Sequence, residues 1–309
     1  MKKFYFINVV LLFLALNFIQ ASNFEQINTQ TQTNAKRDFK NTFLYGVTID
    51  DNWYDAVKLS GIINTLKSMP SKPVVRIVMS KDTHPSGYIQ MFKKINEVAY
   101  IMATPVDSYE MKLYKDIKSY KKRFEDSYDN LAPYVKIWEV ANEINGEGWL
   151  GYDLNLIVDK MNAAYEFILS KNALSALTLY YTPPNFQKIK MLDWVERYVN
   201  SNIKQNIDYV FVSYYEDDNG GFLPDWKNIF NELQVKFPNS KLGIGECGNV
   251  SKDANKTSKV NMAKKYYNMP KFNENFIGGY FWWYFVQDCV MDKNDELLFE
   301  IHKAMRVKK

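Results

Sequence analysis

Eight short apolar runs alternate along the chain with longer segments whose apolar residues recur at helical spacing. Strands are predicted at roughly 43–50, 73–80, 98–104, 135–143, 175–182, 207–215, 240–247 and 276–285. Helices are predicted near 54–68, 86–96, 108–130, 152–171, 188–201, 224–237, 257–269 and 293–306. The strand runs are too continuously apolar for a sheet with one wet face. Eight of them, each followed by a helix, predict an α/β protein: a closed (β/α)8 TIM barrel, one domain spanning 41–309. The competing fold is an open doubly wound sheet, which usually carries a Gly-rich phosphate loop after its first strand. The run Leu44-Tyr45-Gly46-Val47-Thr48-Ile49-Asp50-Asp51-Asn52-Trp53 contains no such loop.

Before the barrel the pattern changes twice. Met1-Lys2-Lys3 and the apolar stretch that follows predict a secretory signal peptide over 1–21, cut after Ala21. Val9 to Phe18 is short for a spanning helix, which needs roughly 20 apolar residues. An uncleaved anchor is the competing reading, because Ile19 is not the small residue preferred before a cut. The absence of a cysteine near the cut disfavours a lipoprotein. Residues 22–40 are polar and aperiodic and predict a flexible leader. The expected product is secreted or periplasmic, monomeric, and free of the membrane once the signal is removed.

Composition then narrows the chemistry. The net charge of +4 includes Lys2 and Lys3, and the remaining charges are interspersed without a basic stripe, which argues against nucleic acid. Two cysteines and two histidines are too few for a zinc or iron site built on nitrogen and sulfur, and no cofactor is implied. Aromatic residues make up 16% of the chain; most must be core, but flat rings are also the stacking platforms of sugar clefts.

Two strands end on glutamate. Trp138-Glu139-Val140-Ala141-Asn142-Glu143 closes the fourth, and Leu242-Gly243-Ile244-Gly245-Glu246 closes the seventh. In a barrel all strand ends face one mouth, so Glu143 and Glu246 oppose each other nearly across it. Two opposed carboxyl groups are the minimum equipment for cutting a glycosidic bond. Glu139 lies four residues earlier, roughly 13 Å deeper at the usual strand rise, and reads as a paired structural carboxylate.

These residues resemble the clan A glycoside hydrolases, retaining enzymes built on a (β/α)8 barrel. The resemblance implies Glu143 as acid/base, preceded by Asn142, and Glu246 as nucleophile. It also implies Arg76 on the second strand and Tyr215 ending the sixth as supports for Glu246, and one of Trp282-Trp283 as the floor of the sugar site, of which Trp282 is the choice. Ser213 stands where many clan members carry histidine. Cys247, next to the nucleophile, is either a small buried filler or a disulfide partner of Cys289. Trp53 and Trp149 are expected to stack on sugar. Asp50, Asp51, Asn52, Lys81, Asp82, His84, Glu147, Glu216, Asp217 and Asp218 are further mouth candidates. The acidic run Glu216-Asp217-Asp218 argues against a polyanionic substrate.

The expected function is exported, retaining hydrolysis of a β-linked oligo- or polysaccharide. A transglycosylase on the same site, or a non-catalytic carbohydrate-binding barrel, remains the alternative; a carboxyl separation of about 5–5.5 Å would favour the retaining enzyme.

Overall fold

The computed structural model describes residues 36–50, 53 and 56–307. The predicted signal peptide lies outside them, as do Asp51 and Asn52. Of the polar leader only 36–40 is described, and it is helical, with the Asn41 amide donating to the Arg37 carbonyl at 3.0 Å.

From Phe43 the chain forms a closed barrel of parallel strands in sequence order. They are β1 (Leu44–Ile49), β2 (Val74–Val78), β3 (Tyr100–Thr104), β4 (Ile137–Ala141), β5 (Leu174–Tyr180), β6 (Tyr209–Ser213), β7 (Lys241–Glu246) and β8 (Phe276–Trp282). Nearly every strand residue is buried, because helices cover the outside and side chains fill the inside. The helices are α1 (Leu59–Lys67), α2 (Ile89–Asn96), α3 (Ile117–Leu131), α4 (Leu154–Ser170), α5 (Met191–Tyr198), α6 (Ser201–Asn206), α7 (Trp226–Lys236), α8 (Lys256–Tyr267) and α9 (Asp295–Arg306). Short polar residues start most of the longer ones: Asp116, Asp153, Asp225, Asn255 and Asn294 each accept from the first-turn backbone. Each such cap satisfies a donor the helix leaves orphaned and contributes about 1 kcal/mol.

Helix starts explain two differences from the predicted elements. The helix expected over 108–130 is a 3₁₀ turn, Ser108–Leu113, and then α3, which begins only after its Asp116 cap. The helix expected over 188–201 ends at Tyr198, and Asn200 caps a second helix, α6. In both cases an Asx cap interrupts what apolar spacing joins.

The barrel interior is filled in two ways. Phe211 and Phe281 meet edge to face at 5.5 Å, and glycine makes room for them: a Cβ on Gly46 would lie 2.4 Å from the Phe281 ring. The other part of the interior is polar and hydrogen-bonded, centred on Arg76 and Glu139. In β8, Gly278, Gly279 and Tyr280 all take positive φ, and the register with β1 slips between Tyr45 and Val47. Two of the three are glycine because that backbone region penalises a Cβ.

Candidate active site

Glu143 sits two residues past β4 with φ 48, an uncommon conformation for a residue with a side chain. Such backbone strain concentrates where a side chain must be aimed. The turn is closed by Gly146 N donating to the Glu143 carbonyl at 2.7 Å. One residue earlier, Asn145 exchanges two hydrogen bonds with the Tyr180 backbone, both 2.7 Å. The Glu143 carboxylate is 7% exposed and accepts from Ser108 Oγ at 2.9 Å and Ser213 Oγ at 2.7 Å.

Glu246 is the last residue of β7, and the β6–β7 register places it beside Ser213. Arg76 Nη1 lies 2.9 Å from its Oε1, and the Tyr215 hydroxyl donates to its Oε2 at 2.9 Å. Arg76 turns its other edge to Glu139, donating from Nε at 3.0 Å and Nη2 at 2.8 Å. Thr104 and Thr178 complete the Glu139 carboxylate, which is the deep, paired group the sequence implies.

Ser213 ties the two strand-end carboxyl groups together. Its Oγ is 2.7 Å from Glu143 Oε1 and 3.5 Å from Glu246 Oε2, so those oxygens are no further apart than the sum of the two distances. Burial raises the Glu143 carboxyl, opposed by its Ser213 and Ser108 hydrogen bonds. Burial likewise pushes Glu246 up to about 8, against the pull of Arg76 and with repulsion from Glu143. Together the pair retains a proton into the neutral range. Burial alone would lower the Arg76 pKa, but Glu139 and Glu246 hold it above its ordinary value. Tyr215 is raised by burial and by Glu246, so it remains a hydrogen donor.

Both carboxyl groups open into a cavity of about 240 Å³ at the mouth. Asn142, Tyr215 and Trp149 line it. The Trp149 ring stands edge-on to Tyr180 at 5.1 Å and stacks on Tyr109 at 6.1 Å. Arg76 is fully buried and adjoins the cavity through Glu246 and the Trp283 ring, whose centroid lies 5.7 Å from its guanidinium carbon.

Two tryptophans are not brought there. Trp282 is fully buried, with Nε1 donating to Asp288 at 2.8 Å, and Trp283 lines the cavity instead. One of the two rings faces the mouth, as alternation requires, and it is Trp283 rather than the chosen Trp282. Trp53 is 3% exposed and packs in the apolar core, not in the cavity.

Most of the further mouth candidates are structural. Glu147 accepts from Ile189 N, Asp217 from Val250 N and Ser251 N, and Glu216 pairs with Lys265. His84 caps a 3₁₀ turn, Asp50 lies 3.3 Å from the Gln287 amide, and Lys81 and Asp82 do not line the cavity. Among the described residues of that set, only Asp218 lines it. Cys247 and Cys289 are free buried thiols, Cys247 lying 3.4 Å from the Tyr280 carbonyl.

Asp107, Ser108 and Tyr109 were missed by sequence reasoning, as were Tyr180, Val250 and Tyr284. The first three follow β3; the overlong helix predicted over 108–130 absorbed Ser108 and Tyr109, and Asp107 lies directly before it. The turn signal of Pro105 and the Asp116 cap mark that loop. Among the described residues no group of three or more His, Cys, Asp and Glu could hold a metal ion. No helix among them is long and apolar enough to cross a membrane.

No protein-family model matches the chain, and no curated protein matches it. Solved structures do. The GH1 β-glucosidase of Exiguobacterium antarcticum B7 is 11% identical with a TM-score of 0.51, over 78% of this chain and 88% of that one. The β-glucosidase of Thermotoga maritima in complex with cyclophellitol is 13% identical with a TM-score of 0.53, over the same shares. ScGas2 is 14% identical with a TM-score of 0.57, over 85% of this chain and 65% of its own. At these identities the likeness is one of fold, and it agrees with the closed barrel described above.

Proposed function

We propose that the protein is a retaining glycosidase acting on a β-linked carbohydrate, with Glu246 as nucleophile and Glu143 as acid/base. The observation that carries this reading is Ser213, whose Oγ lies 2.7 Å from Glu143 and 3.5 Å from Glu246 and so favours the roughly 5–5.5 Å spacing of retaining pairs over the roughly 6.5–9.5 Å of inverting ones. An inverting enzyme needs that larger gap to seat a water between sugar and base. The open cavity also weighs against a non-catalytic binding barrel, which has no use for opposed carboxyl groups sharing a proton. Two of the fold neighbours carry the name β-glucosidase, which fits a β-linked substrate.

The contacts at the site support a placement of the shared proton. Arg76 forms an ion pair with Glu246 and Tyr215 donates a hydrogen bond to it, while neither makes such a contact with Glu143, favouring the anion on Glu246. The Ser108 and Ser213 hydroxyls can donate or accept, so they tolerate a protonated Glu143. In the first step Glu246 attacks the anomeric carbon while Glu143 gives its proton to the leaving oxygen. In the second, Glu143 takes a proton from water, whose oxygen displaces Glu246 from the sugar. The strained backbone at Glu143 and the buried Arg76 hold both groups in place before substrate arrives.

Export belongs to the same proposal, supported by the basic start and the apolar stretch at 4–19. The mechanism is tested by proton NMR of the first sugar released from an aryl β-glycoside. The β anomer should appear first and equilibrate later; an α anomer appearing first rejects retention.

A further inference from the structure

The reaction needs two carboxyl groups, but four line the cavity: Asp107, Glu143, Asp218 and Glu246. None of its lining residues is Lys, Arg or His. The guanidinium that touches Glu246 is divided between that carboxylate and Glu139 and is fully buried behind them. The cavity therefore carries a negative excess inside low-dielectric walls, where a cation gains most and an anion is rejected.

A second observation places the cation on the sugar. Asn142 is 1% exposed, and its Nδ2 donates to Asp107 Oδ1 at 3.1 Å. An ionised carboxylate can only accept, so this contact fixes which way the amide faces. Its other end, Oδ1, is buried and has no hydrogen-bond partner. A buried acceptor left in that state is costly and calls for a donor from the ligand. Asn142 directly precedes the acid/base residue, the place from which a side chain reaches the substituent beside the reacting carbon. While Asp107 takes up one of the two Asn142 Nδ2 hydrogens, that substituent meets two acceptors, Asn142 Oδ1 and the Asp107 carboxylate. One hydroxyl hydrogen can satisfy only one of them, whereas an ammonium group has three donors and cancels a charge as well.

We propose that the sugar taken at this site is a 2-amino-2-deoxy glycoside in its cationic form, its ammonium held between Asn142 Oδ1 and Asp107. The proposal rests on the retaining-glycosidase reading for the position of the reacting carbon. Asp218 at the rim extends the negative lining to the next residue of a chain bearing the same group. An N-acetylated sugar loses the charge and two of the three donors, so it fits this constellation poorly.

The test compares 4-nitrophenyl β-glycosides of gluco and galacto configuration, each with a 2-hydroxy, 2-amino or 2-acetamido group. The 2-amino member of the preferred pair should lead in kcat/KM by about tenfold or more, the worth of one charged hydrogen bond. Asp107→Asn keeps an acceptor for Asn142 Nδ2 and removes the charge. Turnover of the 2-amino substrate should fall more than that of the 2-hydroxy substrate, bringing the ratio close to unity. Equal or better use of the 2-hydroxy or 2-acetamido substrates, or an unchanged ratio in Asp107→Asn, overturns the proposal. The corresponding methyl β-glycosides are titrated into the wild-type protein by NMR to separate binding from catalysis. Absence of turnover with tenfold preferential binding of the amino glycoside would reject the glycosidase reading and keep the amino-sugar site. Absence of that binding preference rejects the site.

Discussion

Glu139 and Glu246 share one guanidinium and have opposite surroundings. Glu139 lies inside the barrel with every contact supplied by the protein: Arg76 on one oxygen, and Thr104 and Thr178 across the two. Glu246 receives Arg76 on one side and Tyr215 on the other, and its remaining face opens on the cavity beside Glu143. The first carboxylate is finished; the second is incomplete until a ligand arrives. A buried ion pair becomes a site when one of its members is left with a face the protein does not fill.

The largest break in this comparison is Glu246→Gln, which should lower turnover of any substrate by roughly 10⁴-fold or more, measured with an aryl glycoside. The same variant should resist heat better than the parent at alkaline pH. Burial raises both carboxyl groups, Glu246 to about 8 from 4.5, so folding places one proton on the Glu143–Glu246 pair in that interval. Stability from the pair is therefore full below the ordinary carboxylate pKa and is lost as pH rises through the raised one. Gln cannot ionise, so the difference in Tm between variant and parent should grow between those limits, by a few °C on the order of magnitude.

Glu143→Ala comes next. Natural leaving groups should be cleaved roughly 10²–10⁴-fold more slowly, while an activated aryl glycoside should form the covalent intermediate and stall. Rapid-mixing kinetics should show that stall as a burst; equal losses on both substrates would remove the acid/base role.

Glu139→Gln tests the sealed member. It strips Arg76 of its deeper partner inside the barrel and should destabilise the fold by about 3–5 kcal/mol in denaturant titration. Any loss of turnover should follow the loss of folded protein. The smallest effect belongs to Ser213→Ala. Its hydrogen bond favours ionised Glu143, so removing it should move the alkaline limb of the pH–rate profile upward, by no more than about one unit.

The barrel and both strand-end glutamates were legible because they follow from repetition: eight apolar runs, each ending at the same mouth. Arg76 and Tyr215 were legible with them, as the side chains that meet Glu246. What escaped is not settled by that repetition. Alternation along β8 lets one of Trp282 and Trp283 face the mouth but does not say which. Ser108 and Tyr109 were hidden in a helix that apolar spacing made too long, and Asp107 lies directly before it. Asp107 in particular has no sequence signature, because its partner Asn142 arrives from another strand 35 positions away.

The paired hydrogen bonds between Asn145 and the Tyr180 backbone act as one more rung after the β4–β5 ladder has ended. They anchor the turn carrying Glu143 to a neighbouring strand rather than leaving it to swing. The Tyr180 amide should thus exchange with deuterium as slowly as amides within the sheet, although its partner is a side chain. Free and sugar-bound forms should superimpose across residues 142–146, and the rate of catalysis should not be set by an opening movement of this segment.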